Sequence, residues 1–293
     1  MRHVFHWKRL ALVALAILCS RPFIALADGH PDWIKPLPPF RIAGNLYYVG
    51  SVDLAAYLVV TPKGNILINS NLSSSPRQIR ASVEQLGFHF SDTRILLISH
   101  AHFDHCAGSA EIKRLTGAKY MVMDADIPTV ESGGRKDFAY GKEPAMRYPA
   151  THVDRVLHDG DTVALGGTVL TAHKTAGHTR GNTTWTLDET DKGRTLHVVI
   201  VGSPYANSEY KLAGSHPSYP GIEQDFERQF ETLRHLPCDI FLGAHGGYFD
   251  LSEKLARLRN GDANAFIDPE GYKRFVTDRE AAFHKKLQRD RGL

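Results

Sequence analysis

The hydrophobic positions between residues 40 and 69 come in short runs. Apolar or alternating segments at residues 46–49, 56–60 and 66–68 are separated by Gly, Pro and Asn. Runs of this length, bounded by turn residues, are typical of strands joined by tight turns. The pattern predicts that the first half of the chain begins as an antiparallel sheet.

Helical spacing appears next. Between Ser75 and Gly87 apolar residues recur every three or four positions, which predicts a short amphipathic helix. Residues 94–99 (RILLIS) form a compact apolar run of strand length that leads directly into His100.

The remainder of this half continues in the same way. Residues 108–116 predict a helix that stops at Gly117, and residues 119–123 (KYMVM) predict another strand. Residues 126–150 are rich in Gly, Pro and charge, which indicates a long surface loop.

The second half repeats the order of strands followed by a helix. The predicted elements are strands at 162–165, 168–173, 183–187 and 196–201, a helix near 222–236 and a strand at 239–242. From about residue 264 onward the sequence predicts a loop and a polar terminal helix, in which Phe275 and Phe283 can pack against the rest of the domain. The layout favours two sheet-plus-helix halves packed sheet to sheet, an α/β four-layer sandwich that forms one domain.

The first 27 residues have the three parts of an export signal. Arg2, Lys8 and Arg9 give a basic start, residues 10–18 are apolar, and residues 25–27 (ALA) form a small-residue cleavage site. The alternative is a membrane anchor, but the apolar run is roughly half of the ~20 residues that a spanning helix needs. We expect cleavage near Ala27.

Composition limits the partners of the mature chain. The chain has 35 Lys+Arg and 32 Asp+Glu, and residues 1–27 hold four of the basic residues and no acidic one, which leaves a net charge of −1. No basic stripe interleaved with aromatics survives, so we expect no nucleic-acid partner. We expect residues 28–293 to form a periplasmic or secreted monomer without membrane contact. Its length and 42% hydrophobic content allow a core that needs no structural metal.

A dense polar cluster stands at the end of the 94–99 strand. Four potential metal ligands fall within six residues: His100, His102, Asp104 and His105. Neutral imidazole and carboxylate are the ligands that zinc takes in catalytic sites with an open position. Folding alone does not need such a density of groups that are costly to desolvate. The cluster therefore predicts a metal site.

Two further histidines follow predicted strands and have glycine neighbours, His178 and His245. Alone, each would be read as an ordinary surface or hydrogen-bonded histidine. Beside the cluster, both are predicted ligands, because converging ligands gather at strand ends.

Cys106 and Cys238 are the cysteines that remain after cleavage. They permit one disulfide in an oxidising compartment, and the sequence does not decide whether it forms.

The motifs resemble those of the metallo-β-lactamase fold superfamily. The resemblance rests on the cluster, on Gly177-His178-Thr179 and on Gly243-Ala244-His245-Gly246, and it runs through most of residues 40–285. It implies the four-layer αββα sandwich of the metallo-β-lactamase type and a zinc-dependent hydrolase.

Several positions discriminate within that superfamily. Thioesterases of the glyoxalase type and many lactonases carry a bridging aspartate on the strand before the last histidine, but residues 199–203 contain no acid. The first β-lactamase subclass has a zinc-binding cysteine near Ser203, and the second also replaces the histidine at position 100 with asparagine. The chain is therefore similar to the third subclass of class B β-lactamases, and segments 201–203, 218–220, 237–239 and 264–269 resemble that subclass too.

The chain departs from the family pattern at a few positions. Arg180 stands where many members have proline, and Asn182 where Ser or Cys is common, both at the expected rim of the site. Cys238 matches half of a disulfide found in some members, but the partner region at 271–273 has no cysteine, so we expect no such bridge.

The resemblance implies two zinc ions and a division of the ligands. His100, His102 and His178 would hold the first zinc, and Asp104, His105 and His245 the second. A zinc-bound hydroxide would attack the amide of penicillins, cephalosporins or carbapenems, with Asp104 as the catalytic residue that orients it. Such a secreted enzyme would confer antibiotic resistance.

Substrate contacts are implied at two more positions. Ser203 and Asn207 would donate hydrogen bonds to the substrate carboxylate. The alternative for Ser203 is a turn residue at a strand end.

Two other functions stay open at this stage. A dizinc lactonase or related ester hydrolase could use the same fold, since fold does not fix substrate. A periplasmic zinc-binding protein without turnover would take up metal but hydrolyse nothing.

Overall fold

A computed structural model describes residues 30–293. The export signal predicted for residues 1–27, with its cleavage site near Ala27, lies outside the described residues. Within residues 30–293, no helix is both long enough and apolar enough to cross a membrane.

The first sheet contains seven strands in chain order. They are β1 (Phe40–Ala43), β2 (Leu46–Tyr48), β3 (Tyr57–Thr61), β4 (Gly64–Ile68), β5 (Thr93–Leu97), β6 (Lys119–Met123) and β7 (Arg155–Leu157). β1 to β4 pair antiparallel, as predicted, and β4 to β7 pair parallel. β7 was not predicted, because it is a three-residue edge strand in which Arg155 and Val156 are exposed.

The second sheet contains five strands. They are β8 (Thr162–Leu165), β9 (Thr168–Lys174), β10 (Thr183–Asp191), β11 (Arg194–Val201) and β12 (Ile240–Gly243), in the order β12-β11-β10-β9-β8. Only β11 and β12 pair parallel. The helix Ile222–His235 lies between them in the chain and provides the long connection that parallel pairing requires.

Eight α-helices surround the sheets in the described part of the chain. They are α1 (Pro31–Ile34), α2 (Ser75–Gln85), α3 (Phe103–Cys106), α4 (Ser109–Thr116), α5 (Ile127–Glu131), α6 (Ile222–His235), α7 (Leu251–Arg259) and α8 (Pro269–Asp290). The loop predicted at 126–150 is partly wrong, because it begins with α5, a helix too short to show periodicity. α7 was also missed, although Leu251, Leu255 and Leu258 repeat at helical spacing.

Alternation along the strands builds the layers. Tyr57 and Ile66 of the first sheet pack in one core with Trp185 and Ile200 of the second. The intervening residues of β3 and β4 face the other way, so that Leu67 packs in a second core with residues of α2 and α4. Burying each such side chain contributes about 1.5–3 kcal/mol. The predicted α/β four-layer sandwich is confirmed.

The terminal helix closes the far side of the second sheet. Phe283 of α8 is buried and stacks on Phe226 of α6, with ring centres 5.2 Å apart. Phe275 lies 5.1 Å from the Phe241 ring of β12. Both predicted docking residues therefore hold α8 against the domain.

The two cysteines of the described residues are free thiols. Cys106 is buried, and its Sγ donates to the carbonyl oxygen of His102 at 3.1 Å. The expectation that Cys238 forms no bridge with residues 271–273 agrees with this.

Glu189 of β10 joins the two sheets far from the histidines. The residue is only 4% exposed, and its Oε2 accepts the Asn45 N–H at 3.1 Å. Oε1 has no hydrogen-bond partner among residues 30–293. Burial raises the pKa of Glu189 to about 7, with Asp191 adding to the rise and Asn45 and Arg41 opposing it.

Glu189→Gln is expected to stabilise the protein at pH 8 but not at pH 5. The pKa of Glu189 rises from 4.5 to about 7 on folding. Its protonated carboxyl therefore stabilises the fold below pH 4.5, and this contribution is lost as the pH rises through about 7. Glutamine does not ionise, so the free energy of unfolding of the variant, relative to wild type, should increase by about 1–3 kcal/mol from pH 5 to pH 8. Urea unfolding of both proteins at the two pH values measures this, and a pH-independent difference would contradict the assignment to Glu189.

Candidate metal centre

The six predicted ligands lie at one edge of the sandwich, where strands from both sheets end. His100 follows β5 by three residues, and α3 carries Asp104 and His105 directly after it. His178 lies in the turn between β9 and β10, and His245 follows β12. Sequence reasoning placed these residues at strand ends, and the structure brings all of them together.

One group of donors consists of Asp104, His105 and His245. His105 Nε2 lies 3.1 Å from Asp104 Oδ2 and 3.1 Å from His245 Nε2. His245 Nε2 lies 3.5 Å from Asp104 Oδ2. All three donor atoms therefore face one small volume.

The second group consists of His100, His102 and His178. Each offers a ring nitrogen, and these atoms all lie within 4.8 Å of one another. The ring centre of His100 lies 5.0 Å from that of His102 and 4.8 Å from that of His178. His100 also lies 4.2 Å from the His105 ring, so the two groups are adjacent.

The donor set fits zinc. Zinc bonds of about 2.0–2.1 Å at tetrahedral angles place neighbouring ligand atoms about 3.3 Å apart, and the separations among Asp104, His105 and His245 run from 3.1 to 3.5 Å. All six residues are imidazoles or a carboxylate, and five are buried outright. A metal cation would satisfy this cluster of lone pairs, which is otherwise costly to bury.

Burial keeps most of the imidazoles neutral. Burial first, and then the neighbouring histidines, lower the pKa of His100 well below its ordinary value. The pKa of His178 falls well below its ordinary value for the same reasons. Burial also lowers the pKa of His105, against the opposing effect of Asp104. Neutral imidazole is the form that binds a metal.

At Asp104 and His245 the neighbouring charged groups outweigh the effect of burial on the pKa. Burial would raise the pKa of Asp104, but His105 and His245 hold it well below its usual range. Burial would lower the pKa of His245, but Asp104 and Asp53 raise it to about 9. The carboxylates therefore attract positive charge to His245, which a metal cation can supply in place of a proton.

Hydrogen bonds at the outer ring nitrogens fix how three histidines point. His178 Nδ1 lies 2.8 Å from the carbonyl oxygen of Tyr205, and His245 Nδ1 lies 2.9 Å from Asp53 Oδ2. The Nδ1 of His100 lies 3.1 Å from the Ser99 hydroxyl. Such outer partners set the tautomer, so Nε2 of each ring faces the centre.

Asp126 connects the two ligand-bearing loops. Its Oδ2 accepts the Ala101 N–H at 2.9 Å and the Thr179 hydroxyl at 2.7 Å, and its Oδ1 accepts the Gly181 N–H at 2.8 Å. Ala101 lies beside His100, and Thr179 follows His178. This buried carboxylate therefore holds the ends of β5 and β9 at a fixed separation. Sequence reasoning missed Asp126, because it stood in a stretch read as loop.

The turn after β4 supports the cluster through its backbone. The N–H groups of Ser70 and Asn71 donate to the His105 carbonyl at 3.0 and 3.2 Å. The Asn69 side chain accepts the Ser99 N–H at 2.8 Å. Asn69 and Asn71 have φ of 68° and 54°, a left-handed conformation that asparagine tolerates better than most residues.

The predicted substrate contacts lie beside the histidines. Ser203 is fully buried, and its Oγ lies 3.2 Å from the Tyr248 hydroxyl. Asn207 Nδ2 donates to the Tyr140 hydroxyl at 2.7 Å, and the Tyr140 ring centre lies 5.2 Å from that of His102. Substrate binding by Ser203 and Asn207 stays a prediction.

The two departures from the family pattern have structural roles. Asn182 is buried rather than at the rim, and its side chain donates to the Thr175 carbonyl at 2.6 Å and accepts the Ser203 N–H at 2.8 Å. The guanidinium of Arg180 lies 4.7 Å from the centre of the Tyr219 ring. Asn182 therefore fixes the backbone around Ser203.

Comparison with known proteins identifies the family. The model of the metallo-β-lactamase superfamily matches residues 54–245. The native FEZ-1 metallo-β-lactamase of Legionella gormanii is 52% identical, with coverage of 88% of this chain and 98% of that chain and a TM-score of 0.86. The class B3 di-zinc metallo-β-lactamase LRA-12 from an Alaskan soil metagenome is 38% identical, with coverage of 87% and 96% and a TM-score of 0.83.

A curated relative agrees at a coarser level. A "probable metallo-hydrolase" of Burkholderia pseudomallei is 32% identical over 117 residues, which make up 40% of this chain and 38% of that protein. The predicted resemblance and the prediction of a metal-dependent hydrolase are confirmed. The chain belongs to the metallo-β-lactamase superfamily, in its class B3 branch.

Proposed function

We propose that this protein is a β-lactamase that uses two zinc ions to hydrolyse the cyclic amide of penicillins, cephalosporins and carbapenems. The observation that carries the proposal is the pair of adjacent three-donor groups at one edge of the sandwich. Similarity to FEZ-1 and to the di-zinc LRA-12 supports the same chemistry.

Each group of donors would hold one zinc. The first would use His100, His102 and His178, and the second Asp104, His105 and His245. Bound zinc polarises a carbonyl oxygen and makes water acidic enough to lose a proton near pH 7.

Asp104 is the residue of this chain that acts on the attacking water. Its Oδ2 faces His105 and His245, which leaves Oδ1 to accept a hydrogen bond from the water. That hydrogen bond directs the water oxygen toward the amide carbonyl carbon, and the Asp104 carboxylate would receive a proton from the water as the new C–O bond forms. Rupture of the C–N bond then opens the ring, and the departing nitrogen takes up the proton.

Ser203 and Asn207 are the proposed partners of the substrate carboxylate. Asn207 donates to the Tyr140 hydroxyl, so a bound carboxylate would replace the phenol as the acceptor. Ser203 is covered by Tyr248, so its contact with substrate requires that the Tyr248 hydroxyl move aside.

The test is hydrolysis by the purified protein of one penicillin, one cephalosporin and one carbapenem. We expect turnover that a strong chelator abolishes and added zinc restores, with no effect of serine-directed inhibitors. Activity that survives complete zinc removal would refute the mechanism. Hydrolysis of an acyl lactone but of no β-lactam would instead assign the centre to a lactonase.

A further inference from the structure

The outer ring nitrogen of His102 is held differently from those of His100, His178 and His245. The ring is buried, and among the described residues its Nε2 has no hydrogen-bond partner at normal distance. The nearest carboxylate oxygen is Asp137 Oδ2, at 3.5 Å. His100, His178 and His245 are instead contacted at Nδ1. Among the described residues, Nδ1 of His105 also lacks a hydrogen-bond partner.

The side chain of Asp137 is itself fixed and buried. It is 5% exposed, and its Oδ1 accepts the N–H groups of Ala139 and Tyr140 at 2.8 and 2.7 Å. These bonds form a turn in the segment between α5 and β7. Oδ1 is thereby occupied, and Oδ2 is left facing His102.

We propose that Asp137 is the positioning residue of the first metal site: its Oδ2 accepts the Nε2–H of His102 and so presents Nδ1 of that ring to the metal. The inference rests on the proposed dizinc centre. His102 would then bind through the opposite nitrogen from His100 and His178, whose outer contacts leave Nε2 free.

The energetic reason is the same as for other outer partners of metal ligands. A neutral imidazole divides between two tautomers unless a hydrogen bond selects one, and only one of them presents a lone pair to the metal. A cation on Nδ1 also makes Nε2–H a stronger donor, and bonds from such a donor to a carboxylate are among the stronger ones in proteins. Asp137 therefore favours metal binding by His102 without touching the metal.

Asp137→Asn separates this role from the turn. Asparagine keeps an oxygen for Ala139 and Tyr140 but places an amide NH₂, a donor, opposite His102 Nε2. We expect zinc affinity at the first site to fall about 10–100-fold, as is typical when an outer carboxylate is lost. Affinity at the second site should not change. Competition with a chelating dye during zinc titration measures both sites.

The histidine NMR signals give a second readout, one that a purely structural role would not move. In the zinc-loaded wild type, we expect His102 to be the metal-bound imidazole whose Nε2 carries the proton. In Asp137→Asn that proton should exchange faster with solvent or disappear. Asp137→Ala, which removes the turn as well, should show the same loss.

Asp154→Asn is the matched control. Asp154 also accepts a backbone N–H, that of Tyr120 at 2.7 Å, and pairs with Lys113 at 2.7 Å. It contacts none of the histidines of the centre in these hydrogen bonds, so both zinc affinities should equal those of wild type.

The outcomes separate this inference from the proposed function. Two sites of wild-type affinity in Asp137→Asn would overturn the positioning role, and a defect confined to Asp137→Ala would assign Asp137 to the turn alone. A wild type that binds two zinc ions but opens no β-lactam would contradict the proposed function, while weakened first-site binding in Asp137→Asn would still support the positioning role.

Discussion

Replacing Asp104 with alanine is expected to remove one zinc from the purified protein and most of its turnover, while the fold persists. Asp104 supplies the only carboxylate among the six donors, and its Oδ2 lies 3.1 Å from His105 Nε2 and 3.5 Å from His245 Nε2. Without it, two imidazoles remain for the second site. Loss of the group that orients and deprotonates the water typically lowers the rate about 10²–10⁴-fold.

The measurements are zinc content per chain, kcat for a cephalosporin, and thermal unfolding of the metal-free proteins. The metal-free variant should still fold, with some loss of stability at pH 7, because His105 and His245 hold the pKa of Asp104 well below its usual range and this favourable interaction is lost. Glu111→Ala is a suitable control, since Glu111 is an exposed residue of α4 whose carboxylate pairs with Arg114 at 3.7 Å. Wild-type zinc content and rate in Asp104→Ala would remove Asp104 from the centre.

The layers of the fold and the cluster could be predicted because their signals are local. Alternation in β3 and β4 and helical spacing in α2 each appear within about a dozen neighbouring residues, and the ligands from His100 to His105 lie within six positions. His178 and His245 were found because each follows a strand whose apolar run is visible in the sequence.

The residues that hold the ligands in place could not be found in this way. Asp53 contacts His245 across 192 positions of the chain, and Asp126 contacts Gly181 across 55. No periodicity connects residues so far apart, and a lone aspartate in a turn looks the same whether or not it accepts a hydrogen bond. Asn182 was misplaced instead of missed. The resemblance puts it at the rim of the site, but it is buried, because its side chain bridges two backbone segments.

Asp126→Ala is expected to have the largest effect on stability among the residues around the centre. Burial raises the pKa of Asp126 to about 6, so at pH 7 the side chain is mainly an anion that accepts all three of its hydrogen bonds. Alanine leaves two buried N–H groups and a hydroxyl without partners, at about 1–3 kcal/mol each. We expect a loss of at least about 3 kcal/mol in urea unfolding, and weaker zinc binding at the site that contains His100 and His178.

A double-mutant cycle distinguishes this cross-link from a general packing defect. The Thr179 hydroxyl donates to Asp126 Oδ2 at 2.7 Å, so Thr179→Val alone should cost about 1.5–3 kcal/mol, the range for a hydrogen bond to a charged group. In the Asp126→Ala background the acceptor is already gone, and the same substitution should cost much less, because the hydroxyl it removes is then unpaired. Equal costs of Thr179→Val in both backgrounds would mean that the two side chains are independent. In that case the ends of β5 and β9, and with them His100 and His178, would have to be held together by other contacts than the Asp126 carboxylate.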